Sequence, residues 1–160
     1  MDGSYIVGFV DGEGSFHIAF QKRPDLKFGW QSIPEFHVSQ NYTSRNVLEE
    51  IKEFLQCGYI KANDAAGKRD KTLVYVVRNH EDLINKVISF FTKFPLKTAK
   101  QADFEIFKQI VEMISMDQHL TVDGFKKIVT LAFEMNAGGR YRKLRKEDIL
   151  QALTSSETIR

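Results

Sequence analysis

The stretch YIVGFVDGEGSF, residues 5–16, joins a short apolar run to two acidic residues, Asp11 and Glu13, that alternate with glycines. The apolar positions have the spacing of a helix, and Ser4 is a residue type that accepts hydrogen bonds from the free amides of a helix start. From Ser15 onward apolar and polar residues alternate, as in a β-strand with one buried face. The stretch therefore predicts a helix that begins after Ser4 and passes directly into a strand.

Gly8 lies inside the predicted helix, where glycine costs about 1 kcal/mol relative to alanine. A helix that keeps this glycine is expected to let another backbone approach closely, and Gly8 and Gly12 lie on one helix face. If the partner is the same helix of a second copy of the chain, twofold symmetry brings the two helix ends together. Each helix then delivers its own Asp11 and Glu13 to a shared point.

Two acids at the end of a helix need a compensating charge, because the helix C-terminus carries a partial negative charge. Repulsion between the two copies of Glu13 adds to the cost. A bound divalent cation turns the dipole's unfavourable charge and the repulsion between the two acids into attraction. The Glu13 carboxylate and the Gly12 carbonyl are oxygen ligands of the kind that Mg²⁺ prefers. The alternative, in which Asp11 and Glu13 are polar residues at a frayed helix end, stays open at this point.

The rest of the chain alternates between strand-like and helix-like periods. The predicted order is helix, hairpin, helix, hairpin, helix, with strands at residues 15–23, 31–40, 59–63 and 72–77. Further helices follow, and the apolar stripe of the first is expected at Ala99, Ala102, Ile106, Ile110 and Ile114. The fold class is therefore α+β, a single domain over residues 1–160 with a four-stranded antiparallel sheet and a helical extension at residues 121–160.

Composition narrows the class of protein. At 160 residues, with 42% hydrophobic and 28% charged side chains, the chain is long enough for one globular domain. Its single cysteine, Cys57, excludes an internal disulfide framework and favours a reducing compartment. No apolar run approaches the ~20 residues of a membrane span, and residues 1–3 lack the positive charge of a signal peptide. We therefore expect a soluble intracellular protein.

The predicted sheet leaves one face open, because the helices cover only the other. Outward positions of the first hairpin are rich in Gln, His and Arg, the side chains that read base edges in the DNA major groove. A strand of about ten residues spans roughly 33 Å, close to the ~34 Å of one duplex turn. An ordinary solvated sheet face is the competing interpretation. The candidate DNA-contacting residues of the sheet are His17, Ala19, Gln21, Arg23, Gln31, Ile33, Glu35, His37, Ser39, Lys61, Asn63, Lys71 and Tyr75.

A basic segment, RYRKLRK at residues 140–146, contains five basic residues in seven, while the net charge of the whole chain is only +2. Such a cluster suits contacts with phosphates, and a solvated helix face is the commoner explanation of a charge run. The candidate phosphate contacts in this segment are Arg140, Arg142 and Lys143.

The nine residues IVGFVDGEG, residues 6–14, resemble the motif that names the LAGLIDADG homing endonucleases. Gly8, Asp11 and Gly14 are identical to that consensus, and Glu13 stands in place of its last acid. The motif occurs once, as in the homodimeric branch of the family, and the order of predicted elements is similar to the family core. The resemblance implies a hydrolase for intron homing that makes a staggered cut in double-stranded DNA at a long near-palindromic target. It places Ile6, Val7, Gly8 and Asp11 at the interface between two copies.

The resemblance also implies roles for single residues. Glu13 and the Gly12 carbonyl would hold Mg²⁺, with two or more ions per dimer; Mn²⁺ would substitute, and Ca²⁺ would support binding without cleavage. FHVSQ ends at Gln40, where the family often has a polar residue that positions water, and TAKQADF resembles the start of the helix with the family's active-site lysine, here Lys100. A basic residue common after that glutamine is not matched in register, since Arg45 lies one place along.

Two alternatives remain on the same fold: an RNA-binding intron maturase and a DNA-binding regulator without catalytic activity. The acid at Glu13 together with Lys100 favours the nuclease. RNA helices present a major groove that side chains cannot read, which suits a base-reading sheet poorly. The partners that the resemblance implies are double-stranded DNA and a second copy of the chain. The implied location is a bacterial or archaeal cytoplasm, a chloroplast or a mitochondrion.

Overall fold

A computed structural model of the chain describes residues 1–63, 71–138 and 142–157. Its helices and strands, in chain order, are α1 (Gly3–Glu13), β1 (Gly14–Lys22), β2 (Trp30–Asn41), α2 (Arg45–Leu55), β3 (Tyr59–Ala62), β4 (Thr72–Val77), α3 (His80–Asp82), a π-helical stretch (Leu83–Ile88), α4 (Ser89–Lys93), α5 (Lys100–Ser115), α6 (Val122–Gly138) and α7 (Lys146–Glu157). Short 3₁₀ turns precede α2 and α6. The four strands form one antiparallel sheet in the order β1-β2-β4-β3, which confirms the α+β fold.

The chain divides into two compact units, each made of two segments. The first unit contains Met1–Phe16 and Glu35–Gln101, and the second contains His17–Pro34 and Ala102–Arg160. Strands β1 and β2 each contribute residues to both units. The single domain over residues 1–160 therefore stays a prediction. Within the described residues, no helix is both long and apolar enough to cross a membrane.

An aromatic cluster forms the core of the first unit. The rings of Phe16 and Phe36 stack with centroids 5.1 Å apart, and Phe91 meets each of them edge-on at 5.5 Å. Ile6 and Val10, one turn apart on α1, are completely buried. The buried side chains of α1 therefore recur with the helical period, and those of β1 and β2 recur at every second residue, as the sequence predicted.

The two ends of α1 differ in how well the sequence predicted them. The helix is capped by Asp2, whose Oδ1 accepts from the Tyr5 amide at 2.9 Å, so the expected cap at Ser4 is wrong. At the other end a Cβ on Gly14 would lie 2.5 Å from Val10 Cγ1 and 2.9 Å from the Val10 carbonyl oxygen. Only glycine therefore lets the chain pass from helix to strand without a spacer.

A second cluster forms the core of the other unit. Phe125 of α6 packs against Phe20 and Phe28, with ring centroids 6.3 Å and 5.6 Å away. The expected apolar stripe of α5 is right at Ile110, which is buried, and wrong at Ala102, which is exposed. The other buried side chains of the helix are Phe104, Phe107, Val111 and Met113. Large aromatic side chains bury much more surface than alanine, so they decide which face of the helix turns inward.

Candidate active site

The end of α1 and the start of α5 exchange hydrogen bonds in both directions. The Asp11 carboxylate accepts from the amides of Lys97 and Thr98 at 2.8 Å and 3.2 Å, and from the Thr98 hydroxyl at 2.8 Å. In return Lys100 Nζ donates to the carbonyl oxygens of Val10 at 2.8 Å and Asp11 at 3.1 Å. Residues that are about 90 positions apart are thereby held at one point of the first unit.

This exchange resolves the electrostatic conflict that the sequence posed at the end of α1. The Lys100 ammonium lies at the negative end of the α1 dipole, where a cation is favourable. It donates to the Asp11 carbonyl and to the Val10 carbonyl, which also accepts from the Gly14 amide. Burial by itself raises the pKa of Asp11, but the hydrogen bonds from Lys97 and Thr98 and the charge of Lys100 outweigh it and hold this pKa below its usual value. Asp11 is thus a charged residue that joins the end of α1 to the segment just before α5.

Glu13 and Gly12 occupy the last turn of α1, at the same helix end as Lys100, and both are exposed. The carbonyls in the last turn of a helix have no partner within it, so the Gly12 oxygen is available to a ligand. A carboxylate and a backbone carbonyl are the hard oxygen donors that Mg²⁺ and Ca²⁺ take. The donor set at this helix end therefore fits a divalent cation, with Glu13 and Gly12 as the residues that would hold it.

Gln40 and Arg45 lie at the junction between β2 and α2. The Gln40 side-chain oxygen accepts from the Asn41 amide at 2.7 Å, and Leu73 of β4 is its cross-strand partner. Arg45 binds the Glu49 carboxylate within α2 at 2.8 Å. The role of Gln40 in positioning water stays a prediction.

Tyr75 does not lie on the open sheet face, so the prediction that it contacts DNA is wrong. It pairs with Val38 across the strands, and cross-strand partners present their side chains to the same face of a sheet. Since Val38 is buried, Tyr75 turns inward with it and is completely buried. Its hydroxyl donates to the Cys57 carbonyl at 3.0 Å, and burial raises the pKa of Tyr75.

Other predicted contact residues of the first unit do lie on the open face. Glu35, His37 and Ser39 alternate with the buried Phe36 and Val38 along β2. By strand register, Lys61 of β3 shares the face of Ser39, since both pair with Val74. Asn63 and Lys71, which flank the second hairpin's strands, are exposed.

Arg78 is a residue of this face that the sequence reasoning missed. It follows β4 directly, and its Nε lies 3.3 Å from Glu35 Oε1, while His37 Nε2 lies 3.2 Å from Glu35 Oε2. Glu35 thus lies next to side-chain nitrogens of Arg78 and His37 on the face where we expected it to contact a base itself. The strand register reveals it, because the pairing of Phe36 with Val77 places position 78 opposite Glu35.

In the second unit, the predicted contact residues of β1 alternate with buried Ile18 and Phe20. The Arg23 guanidinium binds Asp25 at 2.7 Å and donates to the Gln31 side chain at 3.2 Å. The remaining predicted contact residues of this unit's strands are His17, Ala19, Gln21 and Ile33; Gln21 is exposed and the other three are half-buried.

Arg142 has a structural role in the second unit, and a contact between it and a phosphate stays a prediction. Its guanidinium donates to the carbonyls of Ile18 at 2.7 Å and Ala132 at 3.0 Å. It also lies over the rings of Phe133 and Phe20, 4.9 Å and 5.7 Å from their centroids, and burial lowers its pKa. Lys143 is exposed, as a phosphate contact would be, and Arg140 lies outside the described residues.

Arg142→Ala is expected to lower the free energy of unfolding by about 3 kcal/mol, because two hydrogen bonds to a charged donor and two cation–π contacts are lost. Urea denaturation of the substituted protein measures the change. Lys143→Ala, at the exposed neighbouring position, is the control and is expected to change stability by less than about 0.5 kcal/mol. Equal effects of the two substitutions would contradict an anchoring role for Arg142.

The proposed interface residues on α1 differ in accessibility. Ile6 is completely buried in the chain's own core, so its prediction as an interface residue is wrong; it shares the inward face of the helix with Val10. Val7 is 7% exposed and, with Gly8 and Asp11, lines a cavity of about 300 Å³. Among the residues that the structure describes, none has an atom within 4 Å of a Cβ built on Gly8 or on Gly12. The chain's own packing therefore does not require glycine at position 8.

Comparison with known proteins identifies the family. Residues 6–111 match the model of the LAGLIDADG endonucleases. Over 131 residues, 82% of this chain, 37% are identical to "Probable intron-encoded endonuclease 3" of Neurospora crassa. The chain belongs to the LAGLIDADG endonuclease family. It spans about a quarter of the length of that relative, 24%, and 30% of "Probable intron-encoded endonuclease 2" from the same organism.

Solved structures of similar fold include complexes with DNA. The archaeal intron-encoded homing endonuclease I-Vdi141I, complexed with DNA, matches with a TM-score of 0.86 and 33% identity, covering 98% of this chain and 96% of that one. I-SmaMI, bound to an uncleaved DNA target in the presence of calcium ions, matches with a TM-score of 0.84 and 31% identity, covering 96% of this chain and 49% of that one.

Proposed function

We propose that this chain is a site-specific endonuclease that hydrolyses phosphodiester bonds in double-stranded DNA. The observation that carries the proposal is the helix end where Lys100 Nζ binds the Val10 and Asp11 carbonyls beside the exposed Glu13. The cation can stabilise negative charge on the attacked phosphate, and the accessible carboxylate beside it can hold a divalent metal ion. Family membership and the DNA complexes of I-Vdi141I and I-SmaMI support the same reaction.

Each residue of this helix end has a role in the proposed reaction. Glu13 and the Gly12 carbonyl hold divalent cations, Mg²⁺ in the working enzyme, which when bound supply positive charge for the oxygens of the scissile phosphate. Lys100 stabilises the negative charge that develops on the attacked phosphate, and Gln40 orients the attacking water. Asp11 keeps α1 and α5 together and takes no part in the chemistry.

The open sheet face is the proposed surface for base reading. Arginine binds guanine through two donors at once, and glutamine binds adenine in the same way. We include Arg78 in this surface, because Glu35 holds its Nε and fixes the direction of the guanidinium. Lys61 and Lys143 are exposed cations suited to phosphates, which carry no sequence information themselves.

Selection from a library of DNA duplexes with a randomised central segment tests the proposed activity. Duplexes retained by the protein in Ca²⁺ are then incubated with Mg²⁺, and in parallel with EDTA. We expect a staggered cut with Mg²⁺ and none with EDTA. Cleavage of no selected duplex would contradict the nuclease, and binding of structured RNA in its place would favour the maturase.

A homodimer is the proposed assembly, with α1 of each copy packed against the other. The space around Gly8 supports it, because a glycine there weakens the helix with no benefit to the chain's own packing. Twofold symmetry would place one helix end, with its Glu13, near each of two scissile phosphates.

Gly8→Gln is expected to convert the dimer to a monomer and to abolish double-strand cleavage, because the added side chain keeps the two backbones apart. The monomer itself has room for the side chain, and its helix gains up to about 1 kcal/mol in propensity. Sedimentation velocity measures the change in mass. Glu53→Gln, at an exposed position of α2, is the control, and an unchanged dimer in Gly8→Gln would contradict this interface.

A further inference from the structure

Thr98 lies between the end of α1 and Lys100 at the start of α5. The sequence by itself assigned it no role. Its amide and its hydroxyl both donate to Asp11 Oδ1, at 3.2 Å and 2.8 Å. The same hydroxyl oxygen accepts from the Lys100 amide at 3.3 Å. One hydroxyl therefore connects the last turn of α1 with the first residue of α5.

The position of the Lys100 backbone decides where its ammonium can go. Lysine carries its charge on a flexible four-carbon stem, so the side chain does not by itself fix the ammonium. In this structure Nζ reaches the Val10 and Asp11 carbonyls because α5 begins beside the end of α1. A displacement of about 1 Å at a reacting centre can cost about 10²-fold in rate.

We propose that Thr98 is a positioning residue for the cleavage reaction. Its hydroxyl ties the start of α5 to Asp11 and so holds the Lys100 ammonium beside the metal-binding end of α1. The inference rests on the proposed function, since it acts through the lysine assigned there. Thr98 itself does not touch the substrate.

Thr98→Val and Thr98→Ser separate the hydroxyl from the shape of the side chain. Valine has nearly the same shape without a donor or acceptor, whereas serine keeps the hydroxyl. We measure the single-turnover cleavage rate in Mg²⁺ and the Kd for the same duplex in Ca²⁺. Thr98→Val should lower the rate about 10–100-fold with Kd changed by less than about twofold, and Thr98→Ser should keep the rate within about threefold. Thr92→Val, on the exposed side of α4, is the matched control and should change neither.

Thermal unfolding of each variant shows that it is folded at the assay temperature, and Thr98→Ala replaces Thr98→Val if the valine variant is not. A wild-type rate for the variant without the hydroxyl would overturn the role of Thr98 alone. Equal losses in rate and binding, or no recovery with serine, would also overturn it, because they indicate a general structural defect. Absence of cleavage by the unsubstituted protein would overturn the proposed function and this role together.

Discussion

Glu13→Gln is expected to lower the cleavage rate by about 10³-fold or more in Mg²⁺, because the residue that holds the divalent cation loses its charge. Glutamine keeps the size of the side chain and one oxygen, but a neutral amide oxygen binds a hard cation far more weakly than a carboxylate. Since Glu13 is exposed at the end of α1, the exchange leaves the core intact. Binding of the same duplex in the absence of metal should change by less than about threefold.

The measurement is a single-turnover rate on the selected duplex, together with Kd from a gel-shift titration. Glu50→Gln makes the same chemical change at an exposed position of α2 and should leave both quantities unchanged. Cleavage by Glu13→Gln at the wild-type rate would show that Glu13 holds no essential metal. If binding fell as much as cleavage, Glu13 would be acting in DNA contact.

Lys100→Met is expected to lower the cleavage rate by about 10²-fold and the free energy of unfolding by about 1–3 kcal/mol. Methionine keeps an unbranched chain of similar length and removes the ammonium. The rate falls because charge on the attacked phosphate loses its stabilising cation. Stability falls because the Val10 and Asp11 carbonyls lose a charged donor at the end of α1. Single-turnover rates and urea denaturation measure the two effects.

Lys97→Met is the matched control for this substitution. Lys97 lies in the same turn, but it contributes its backbone amide to Asp11 and its side chain is exposed. We expect its rate to stay within about threefold of the wild type. Loss of cleavage in Lys97→Met with full activity in Lys100→Met would transfer the catalytic role to Lys97.

Local patterns were sufficient for much of the fold. The change from a helical period to a period of two located the junction between α1 and β1, and the steric limit at Gly14 explains why the junction is so short. The caps were less predictable: Asn79 caps α3, with Oδ1 accepting from the Asp82 amide, whereas α1 is capped by Asp2 and not by the expected Ser4. Asp2 and Ser4 both lie near the start of α1 and both carry side-chain oxygens that can accept from its first amides, and only the helix geometry selects Asp2.

The face that each side chain occupies was harder to predict on the second hairpin and on α5. Strand β4 is apolar almost throughout, so its own sequence contains no alternation from which to assign Tyr75. The register of β4 with β2 places Tyr75 on the buried face of the sheet and Arg78 opposite Glu35. On α5, the aromatic side chains outweighed the smaller residues of the predicted stripe, as their larger buried area requires.

The α+β fold, the acidic helix end at Glu13 and the family could all be predicted from the sequence, because they depend on residues close together in the chain. Only the folded structure shows which charged side chains are free to contact a ligand and which stabilise the protein. Arg142 is anchored by a carbonyl 124 positions away, and the hydrogen bonds of Asp11 and Lys100 span about 90 positions of the chain. Contacts at such separations leave no periodicity in the sequence, so only the folded chain reveals them.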